Sequence, residues 1–188
     1  LVYVKNSREA LSKLSAQAYG YPSKFLKIVG ITGTKGKTST AYLIEHLLKI
    51  SGYKTALISS VKNSIGQWQW NSNLTTPQPD YLHAFFDICR LNRIDYVVME
   101  ISAQSISLHR VDDILFDSVI FTNFSSEHSE FYSSMDEYFN AKVSILNRLK
   151  PNGFVIINND DQKLKQLIKN IKINTITFGL EYDAKFNA

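Results

Sequence analysis

The sequence has almost no cysteine and no long hydrophobic run. Cys89 is the single cysteine among 188 residues, so no internal disulfide can form and we expect a reducing compartment, the cytoplasm. No apolar run approaches the roughly 18 residues that a membrane-spanning helix requires, so we expect no membrane partner. Residues 1–5 are too short and mixed for a secretory signal. Because the chain also lacks an initiator methionine, we expect a piece of a longer protein.

The sequence has little excess charge. The formal net charge is +4, and no basic stretch carries interleaved aromatic residues, so we expect no nucleic-acid partner. An anionic small substrate fits the same charge. No Ser-His-Asp or Cys-His arrangement is present, which argues against a side-chain nucleophile. Much of the positive charge is predicted to lie on the solvated face of one late helix: Lys163, Lys165, Lys169 and Lys172.

Hydrophobic periodicity predicts alternating strands and helices. This alternation implies βαβ units, and we predict an α/β fold in which helices cover both faces of a mainly parallel sheet. We predict that Ser7 caps the first helix, whose buried stripe is Ala10, Leu11, Leu14 and Ala18. Strands are predicted over 26–31, 55–59, 96–101, 117–122, 154–158 and 175–178, and helices over 7–19, 37–50, 80–92, 134–149 and 161–170.

The loops that follow the predicted strands are where a ligand should bind. In open parallel sheets, ligands bind beyond the carboxyl ends of the strands. We therefore expect one crevice formed by four loops, at 32–38, 100–104, 123–128 and 158–161. Residues 61–74 alternate poorly, and they form either a hairpin or an excursion toward the substrate.

Residues 30–38, Gly-Ile-Thr-Gly-Thr-Lys-Gly-Lys-Thr, follow a predicted strand and open a predicted helix. Glycines in such a loop let backbone N–H groups turn toward phosphate oxygens, and the helix N-terminus adds positive potential. Lys37 would then reach the terminal phosphates of a nucleotide, and the Thr38 hydroxyl would bind Mg²⁺. The spacing departs from the standard loop, because Ile31 stands where its first glycine would be. The alternative is a glycine-rich turn that binds nothing.

Lys142 falls within an apolar stripe of the predicted helix at 134–149. A helical wheel clusters Tyr138, Phe139, Ala141, Ile145, Leu146 and Leu149 around it, and Ser134 with Glu137 forms a capping box. A buried lysine is costly unless it is paired or neutral. The alternative, which periodicity alone favours, is a snorkelling side chain whose ammonium reaches the helix edge.

Two further residues at predicted strand ends are candidate metal ligands. Glu100 ends the strand at 96–101, so its carboxylate should project into the crevice, where P-loop enzymes place a metal-binding acid. The alternative is that Glu100 binds no metal and only caps the turn that follows the strand. His128 follows another strand end, where a histidine is either a ligand or, more commonly, solvent-facing.

Together these residues resemble the Mur ligases of bacterial cell-wall synthesis. The loop at 32–38 resembles that family's ATP signature, and residues 123–128 resemble its Asn-x-x-x-Asp-His element, with Glu127 in place of the aspartate. Residues 138–142 resemble its lysine helix, and residues 158–161 its Asn-x-Asp-Asp segment.

Within the family, residues 74–77 (Leu-Thr-Thr-Pro), 99–102 (Met-Glu-Ile-Ser) and 109–111 (His-Arg-Val) resemble the MurE type. That type adds the third peptide residue to UDP-N-acetylmuramoyl-L-alanyl-D-glutamate. The resemblance covers only the family's central domain. It implies a connecting segment with a helix at 1–22 and the ATP-binding domain at 23–188, without the uridine-binding N-terminal and the C-terminal domains.

The resemblance implies a role for each matching residue. The catalytic residues are Lys37, Glu100, His128 and Lys142. ATP is held by Gly33, Thr34, Lys35, Gly36, Lys37, Thr38 and Ser39, with Asn158 near the adenine. Thr38 and Glu100 bind one Mg²⁺, His128 binds a second, and Lys142 matches a lysine whose CO₂-derived carbamate organises the metal site. The muramoyl substrate is held by Thr75, Thr76, Ser102 and Arg110.

The implied function is ATP-dependent formation of an amide bond between UDP-muramoyl dipeptide and an amino acid, in the cytoplasm and by a monomer. Two alternatives stay open at this point. One is a folylpolyglutamate-synthetase-like ligase of the same superfamily. The other is a non-catalytic nucleotide-binding module.

Overall fold

A computed structural model of the chain describes residues 3–126, 131–180 and 184–187. Six α-helices are present in these residues: α1 (Ser7–Ala18), α2 (Lys37–Ile50), α3 (Pro79–Leu91), α4 (Ala103–Ser107), α5 (Met135–Val143) and α6 (Gln162–Asn170). The same residues contain two 3₁₀ helices, Pro22–Phe25 and Ser144–Arg148. The strands are β1 (Lys27–Thr32), β2 (Thr55–Ile58), β3 (Lys62–Ile65), β4 (Trp68–Asn71), β5 (Tyr96–Glu100), β6 (Phe116–Phe121), β7 (Leu149–Asn158), β8 (Asn174–Gly179) and β9 (Phe186–Asn187).

These strands form one sheet in the order β4-β3-β2-β5-β1-β6-β7-β8-β9. The strands from β2 across to β9 pair in parallel, whereas β3 and β4 pair antiparallel as an edge hairpin. The predicted α/β fold with a mainly parallel sheet is confirmed. Of the two interpretations of residues 61–74, the hairpin is present, and Gly66 provides the left-handed turn (φ 59°) between its strands.

Helices cover both faces of the sheet. α2 packs on one face, where Ala41 contacts a cluster that includes Ile31 and Val98. α3 and α6 contribute to the larger cluster on the other face, through residues such as Phe86 and Leu164. Alternate residues along β1, β5 and β6 enter the two clusters, as the pleat of a strand requires. None of the helices in the described ranges has the length and apolar composition that a bilayer crossing needs.

The prediction for the buried face of α1 is wrong. Asn6, not Ser7, caps the helix by accepting from the N–H groups of its first turn. Leu11 and Leu14 are exposed, and the buried residues are instead Ser12, Ser15 and Ala16. α1 packs against α3, and small side chains allow two helices to approach closely, so packing overrides the apolar stripe.

The helix predicted over 134–149 is shorter than expected. α5 ends at Val143, residues Ser144–Arg148 form a 3₁₀ helix, and Leu149 already pairs with Phe116 as part of β7. The chain must leave the helix axis to reach the sheet, and the Ser144 hydroxyl donates to a carbonyl of the last α-turn (2.8 Å). The register between β6 and β7 shifts between Leu149 and Phe154, where residues 150–153 form a bulge within β7.

Candidate functional site

The loop between β1 and α2 lies against the segment that follows β6. Gly33 makes the closest approach: it has φ +147°, and a Cβ added there would lie 2.0 Å from the Thr122 Oγ1. A residue with a side chain would therefore be strained and would collide with Thr122. This glycine is required for the loop to rest on the neighbouring strand end.

Asn123 fixes the loop from the β6 side. Its amide accepts from the Lys35 N–H (2.9 Å) and donates to the Lys35 carbonyl (3.0 Å), and its own carbonyl accepts from the Thr34 N–H (3.1 Å). The Thr34 hydroxyl also bonds the backbone of Ser125. Because the protein itself uses the N–H groups of Thr34 and Lys35, the first turn of α2 offers the amides for an anion. Sequence reasoning placed Asn123 in a motif but gave it no role.

The first turn of α2 begins at Gly36, which is in the left-handed conformation (φ 80°) and has no side chain to cap the helix. A helix N-terminus without a side-chain cap is suited to bind an anion, because several N–H groups point in one direction and the helix dipole favours negative charge. Ser39 lies exposed in this turn. These residues could hold a polyphosphate.

Two lysines share one carbonyl oxygen at the loop. Lys37 Nζ donates to the Gly33 oxygen at 3.0 Å, and Lys142 Nζ donates to the same oxygen at 2.8 Å. Lys142 is 2% exposed and lies 4.5 Å from the Tyr138 ring. Lys142 is therefore buried within the apolar stripe, and the snorkelling interpretation, which periodicity alone favoured, is wrong. The structure thus brings a residue of α5 onto the loop at 32–38, where it contacts Gly33, 109 positions away in sequence.

Glu100 lies at the carboxyl end of β5 beside Thr38. The Thr38 hydroxyl donates to Glu100 Oε2 (3.1 Å), and Ser60 donates its backbone N–H to Oε1 (3.0 Å). Glu100 is fully buried. A hydroxyl and a carboxylate that converge on one point are the oxygen donors that Mg²⁺ takes, so these residues fit that ion. Ser60 was missed from sequence, although its position two residues past the end of β2 was the available signal.

The residues predicted to contact the muramoyl substrate lie next to Glu100, but the side-chain hydroxyls of two of them are hydrogen-bonded within the protein. The Thr76 hydroxyl donates to the Glu100 carbonyl (3.0 Å) and accepts from the Ser102 N–H (3.1 Å). The Ser102 hydroxyl caps α4 by accepting from the Ser105 N–H. Thr75 is half-buried beside them. Both engaged hydroxyls brace the site.

Arg110 is better placed to meet an anionic ligand. One guanidinium nitrogen donates to the Thr76 carbonyl (2.9 Å), while Nε is buried and has no acceptor among the described residues. Burial, followed by the nearby charge of Arg8, lowers the pKa of Arg110 below its ordinary value. An anion near this side chain would relieve both effects.

Asn158 and Asp161 support the segment after β6 from the other side. Asn158 donates to the Thr122 carbonyl (3.0 Å), and Asp161 accepts from the Phe124 N–H (2.6 Å). The loops at 32–38, 100–104, 123–126 and 158–161 are therefore joined around one edge, as predicted. His128 lies outside the described residues, as does Glu127.

The comparisons with known proteins agree with this geometry. Residues 31–188 match the sequence model of the Mur ligase middle domain. Over 188 residues, the chain is 36% identical to a Clostridium botulinum protein named UDP-N-acetylmuramoyl-L-alanyl-D-glutamate--2,6-diaminopimelate ligase, a match that covers 100% of this chain and 38% of that protein. The chain thus spans little more than a third of that relative's length.

Two solved structures share the fold. One carries the same ligase name, with a TM-score of 0.78 and 22% identity, over 94% of this chain and 38% of that one. The other is the MurF ligase from Thermotoga maritima in complex with ADP, with a TM-score of 0.68 and 24% identity, over 96% of this chain and 38% of that one. Since the matching sequence model covers most of the chain, the resemblance drawn from the residues is confirmed, and the chain belongs to the Mur ligase family as a middle domain.

Proposed function

We propose that this chain is the ATP-binding part of an ATP-dependent acid–amino-acid ligase of the MurE type. One observation supports this most directly. The loop at 32–38, which we call the nucleotide loop, meets two lysines and the Thr38–Glu100 pair at the carboxyl ends of the parallel strands. We assign residues 23–188 to the ATP-binding domain and residues 1–22 to a connecting segment. The remaining length of the relatives would supply further substrate contacts, so the chain alone is not expected to complete the reaction.

The proposed reaction joins a carboxylate to an amine. The substrate carboxylate attacks the γ-phosphorus of ATP, the bond to ADP breaks, and an acyl phosphate forms. The amine then attacks the acyl carbon, loses a proton and displaces inorganic phosphate. Both steps need positive charge around the phosphoryl oxygens, and Lys37 with the first turn of α2 supplies it.

Thr38 and Glu100 would hold one Mg²⁺, and His128 is proposed as a ligand of a second. When bound, Mg²⁺ neutralises charge on the transferring phosphoryl group. The Ser60 N–H keeps the Glu100 carboxylate oriented toward Thr38. Asn158, which braces the segment at Thr122, is proposed to lie near the adenine.

We further propose that Lys142 carries a carbamate. Its amine adds to CO₂ and loses protons, which converts a buried cation into an anion. The carbamate nitrogen keeps one N–H, which can still donate to the Gly33 carbonyl, and the new carboxylate would lie close to Lys37 Nζ. Lys142→Ala is expected to lose activity in the full-length enzyme, and short carboxylic acids should restore part of it; Lys142→Ala that keeps full activity contradicts the proposal.

The proposed acceptor is the D-glutamyl carboxylate of UDP-N-acetylmuramoyl-L-alanyl-D-glutamate, and the donor is an amino acid. The name of the 36%-identical relative supports this substrate over a folate. Arg110, with its buried Nε, is proposed to contact the acceptor together with Thr75. A nucleotide-linked precursor and ATP indicate a cytoplasmic reaction.

Calorimetry with ATP and Mg²⁺ tests the nucleotide site. Lys37→Ala is expected to weaken ATP binding by at least about tenfold, since a hydrogen bond to a charged group contributes about 1.5–3 kcal/mol. Lys27→Ala is the matched control, because Lys27 is exposed at the opposite end of β1. ATP affinity that is undiminished in Lys37→Ala would show that the site is elsewhere. Phosphate release by the full-length enzyme, measured with the muramoyl dipeptide and the amino acid present, separates a ligase from a module that only binds nucleotide.

A further inference from the structure

A cavity of about 300 Å³ opens beside the β3–β4 hairpin. β3 runs antiparallel to β2 and pairs Asn63 with Ile58, so Asn63 lies level with the carboxyl end of β2. β4 in turn pairs Trp70 with Asn63. The cavity therefore lies at the end of the sheet where the parallel strands have their carboxyl ends, as does the loop at 32–38.

The cavity wall combines aromatic rings with uncharged polar groups. Trp70 is 38% exposed and Tyr81 is 36% exposed, so part of each ring is available to a ligand. Asp80 is the one charged residue among the described residues that line the cavity, and four side-chain amides line it as well: Asn63, Asn71, Asn73 and Gln78. An acid without a neighbouring base disfavours a phosphate. Aromatic faces and amides suit a neutral ring that carries hydroxyl or acetamido groups, because its C–H face packs on the rings while its polar groups bond the amides.

The Tyr81 hydroxyl can donate a hydrogen bond to a ligand in the cavity. It accepts from Asn63 Nδ2 (3.0 Å) and from Trp70 Nε1 (2.8 Å). A phenol oxygen that accepts two hydrogen bonds still has one proton to donate, and no acceptor for it is present in the described part of the chain. The two incoming bonds also polarise the O–H group and strengthen it as a donor.

The cavity is connected to the candidate metal site. Ser59 donates its N–H to Asn63 Oδ1 (3.3 Å), and the next residue, Ser60, donates to Glu100. Three strand spacings separate β4 from β5, which is about 14 Å at about 4.8 Å each. In a muramoyl dipeptide, the lactyl group, the alanine and the glutamate separate the sugar ring from the reacting carboxylate. At about 3.5 Å per unit plus the glutamate side chain, they span on the order of 10–14 Å.

We propose that this cavity binds the N-acetylated amino-sugar ring of the muramoyl substrate, with Tyr81 donating a hydrogen bond and Trp70 packing on the ring. The proposal rests on the proposed function, since it places the reacting carboxylate near Glu100. It assigns the hairpin, which the nucleotide chemistry does not use, a role in choosing the substrate.

Binding of two small ligands tests this assignment on the chain itself. N-acetylmuramoyl-L-alanyl-D-glutamate carries the sugar, and L-alanyl-D-glutamate lacks it. Tyr81→Phe removes the hydroxyl and keeps the ring. Tyr96→Phe is the matched control, because Tyr96 lies at the amino end of β5, whereas the cavity lies at the carboxyl ends of the parallel strands. Affinities are measured by calorimetry or NMR titration, and ATP affinity is measured for each variant.

The wild-type chain is expected to prefer the sugar-bearing ligand. Tyr81→Phe should weaken its binding about three- to tenfold, as the loss of one hydrogen bond predicts, with no change for the dipeptide or for ATP. Equal affinity of the wild-type chain for both ligands would overturn the proposal, and so would equal behaviour of the two phenylalanine variants. Failure of the proposed function is a separate result, because it is detected as unchanged ATP affinity in Lys37→Ala.

Discussion

Replacement of Gly33 by alanine should damage both the stability of the chain and its nucleotide site. The new Cβ would lie 2.0 Å from Thr122 Oγ1, whereas real contacts of this kind exceed about 3 Å, so Thr122 must move by about 1 Å. Thr122 Oγ1 donates to the Lys35 carbonyl at 2.7 Å, and the loss of that bond costs about 1 kcal/mol. Backbone strain at φ +147° adds about 1–3 kcal/mol. We therefore expect Gly33→Ala to lower the free energy of unfolding by about 2–4 kcal/mol.

Gly66→Ala provides the matched control. Gly66 also has a positive φ, of 59°, but a Cβ added there meets nothing within 4 Å, so the expected loss is the left-handed strain alone, about 1–2 kcal/mol. Urea denaturation measures the unfolding free energy of both variants, and calorimetry measures their ATP affinity. Gly33→Ala should also lose ATP binding, because the displaced loop carries Lys37, whereas Gly66→Ala should retain it. Equal stability losses and intact ATP binding in both variants would refute the proposed seating of the loop on Thr122.

Three further predictions concern buried or bracing groups. Burial lowers the pKa of His83 from 6.5 to about 4, so the unfolded chain binds the proton first as the pH falls. We therefore expect the unfolding free energy to drop by up to about 3 kcal/mol between pH 6.5 and 4; the same slope in His83→Leu would contradict this. Asn123→Ala removes two hydrogen bonds to the Lys35 backbone. It should lower the free energy of unfolding by about 1–2 kcal/mol and weaken ATP binding. Asn152→Ala, in the exposed bulge of β7, should change neither quantity. Glu100→Gln should abolish the Mg²⁺-dependence of ATP affinity in calorimetry, and retained dependence would exclude Glu100 as a metal ligand.

Local patterns were sufficient to predict most of the sheet and the nucleotide loop. The alternation of short β-branched runs with longer amphipathic runs predicts βαβ units, because the two periods differ. Gly-Lys-Thr between such runs predicts the loop, and the wheel placed Lys142 among buried residues, where it is 2% exposed. These features depend on residues close in sequence.

The features that sequence did not reveal depend on contacts between distant residues. α1 buries Ser12, Ser15 and Ala16 and leaves its leucines exposed. The helix packs against α3, and nothing within residues 7–19 indicates that partner. Thr76 matches a substrate-binding position, yet its hydroxyl is engaged by Glu100 and Ser102. Spacing within the chain indicates which residues reach the crevice, but only the assembled sheet shows which of their polar atoms the protein has already used.

The shared carbonyl at Gly33 places two ammonium groups side by side at the loop, where both can contribute to binding an anion. The two lysine Nζ atoms can be no further apart than the sum of their distances to that oxygen, about 6 Å, and two like charges at this separation repel by about 3 kcal/mol at an effective dielectric constant of about 20. A phosphate beside the pair would be attracted by both ammonium groups, which would offset this repulsion. A carbamate on Lys142 would have the same effect from the protein side, since Lys37 would then face an anion before the nucleotide arrives. If Lys142 carries the proposed carbamate, Lys37 would be positioned before the nucleotide arrives and would gain less from the first phosphate. The pair would then serve to orient ATP more than to capture it.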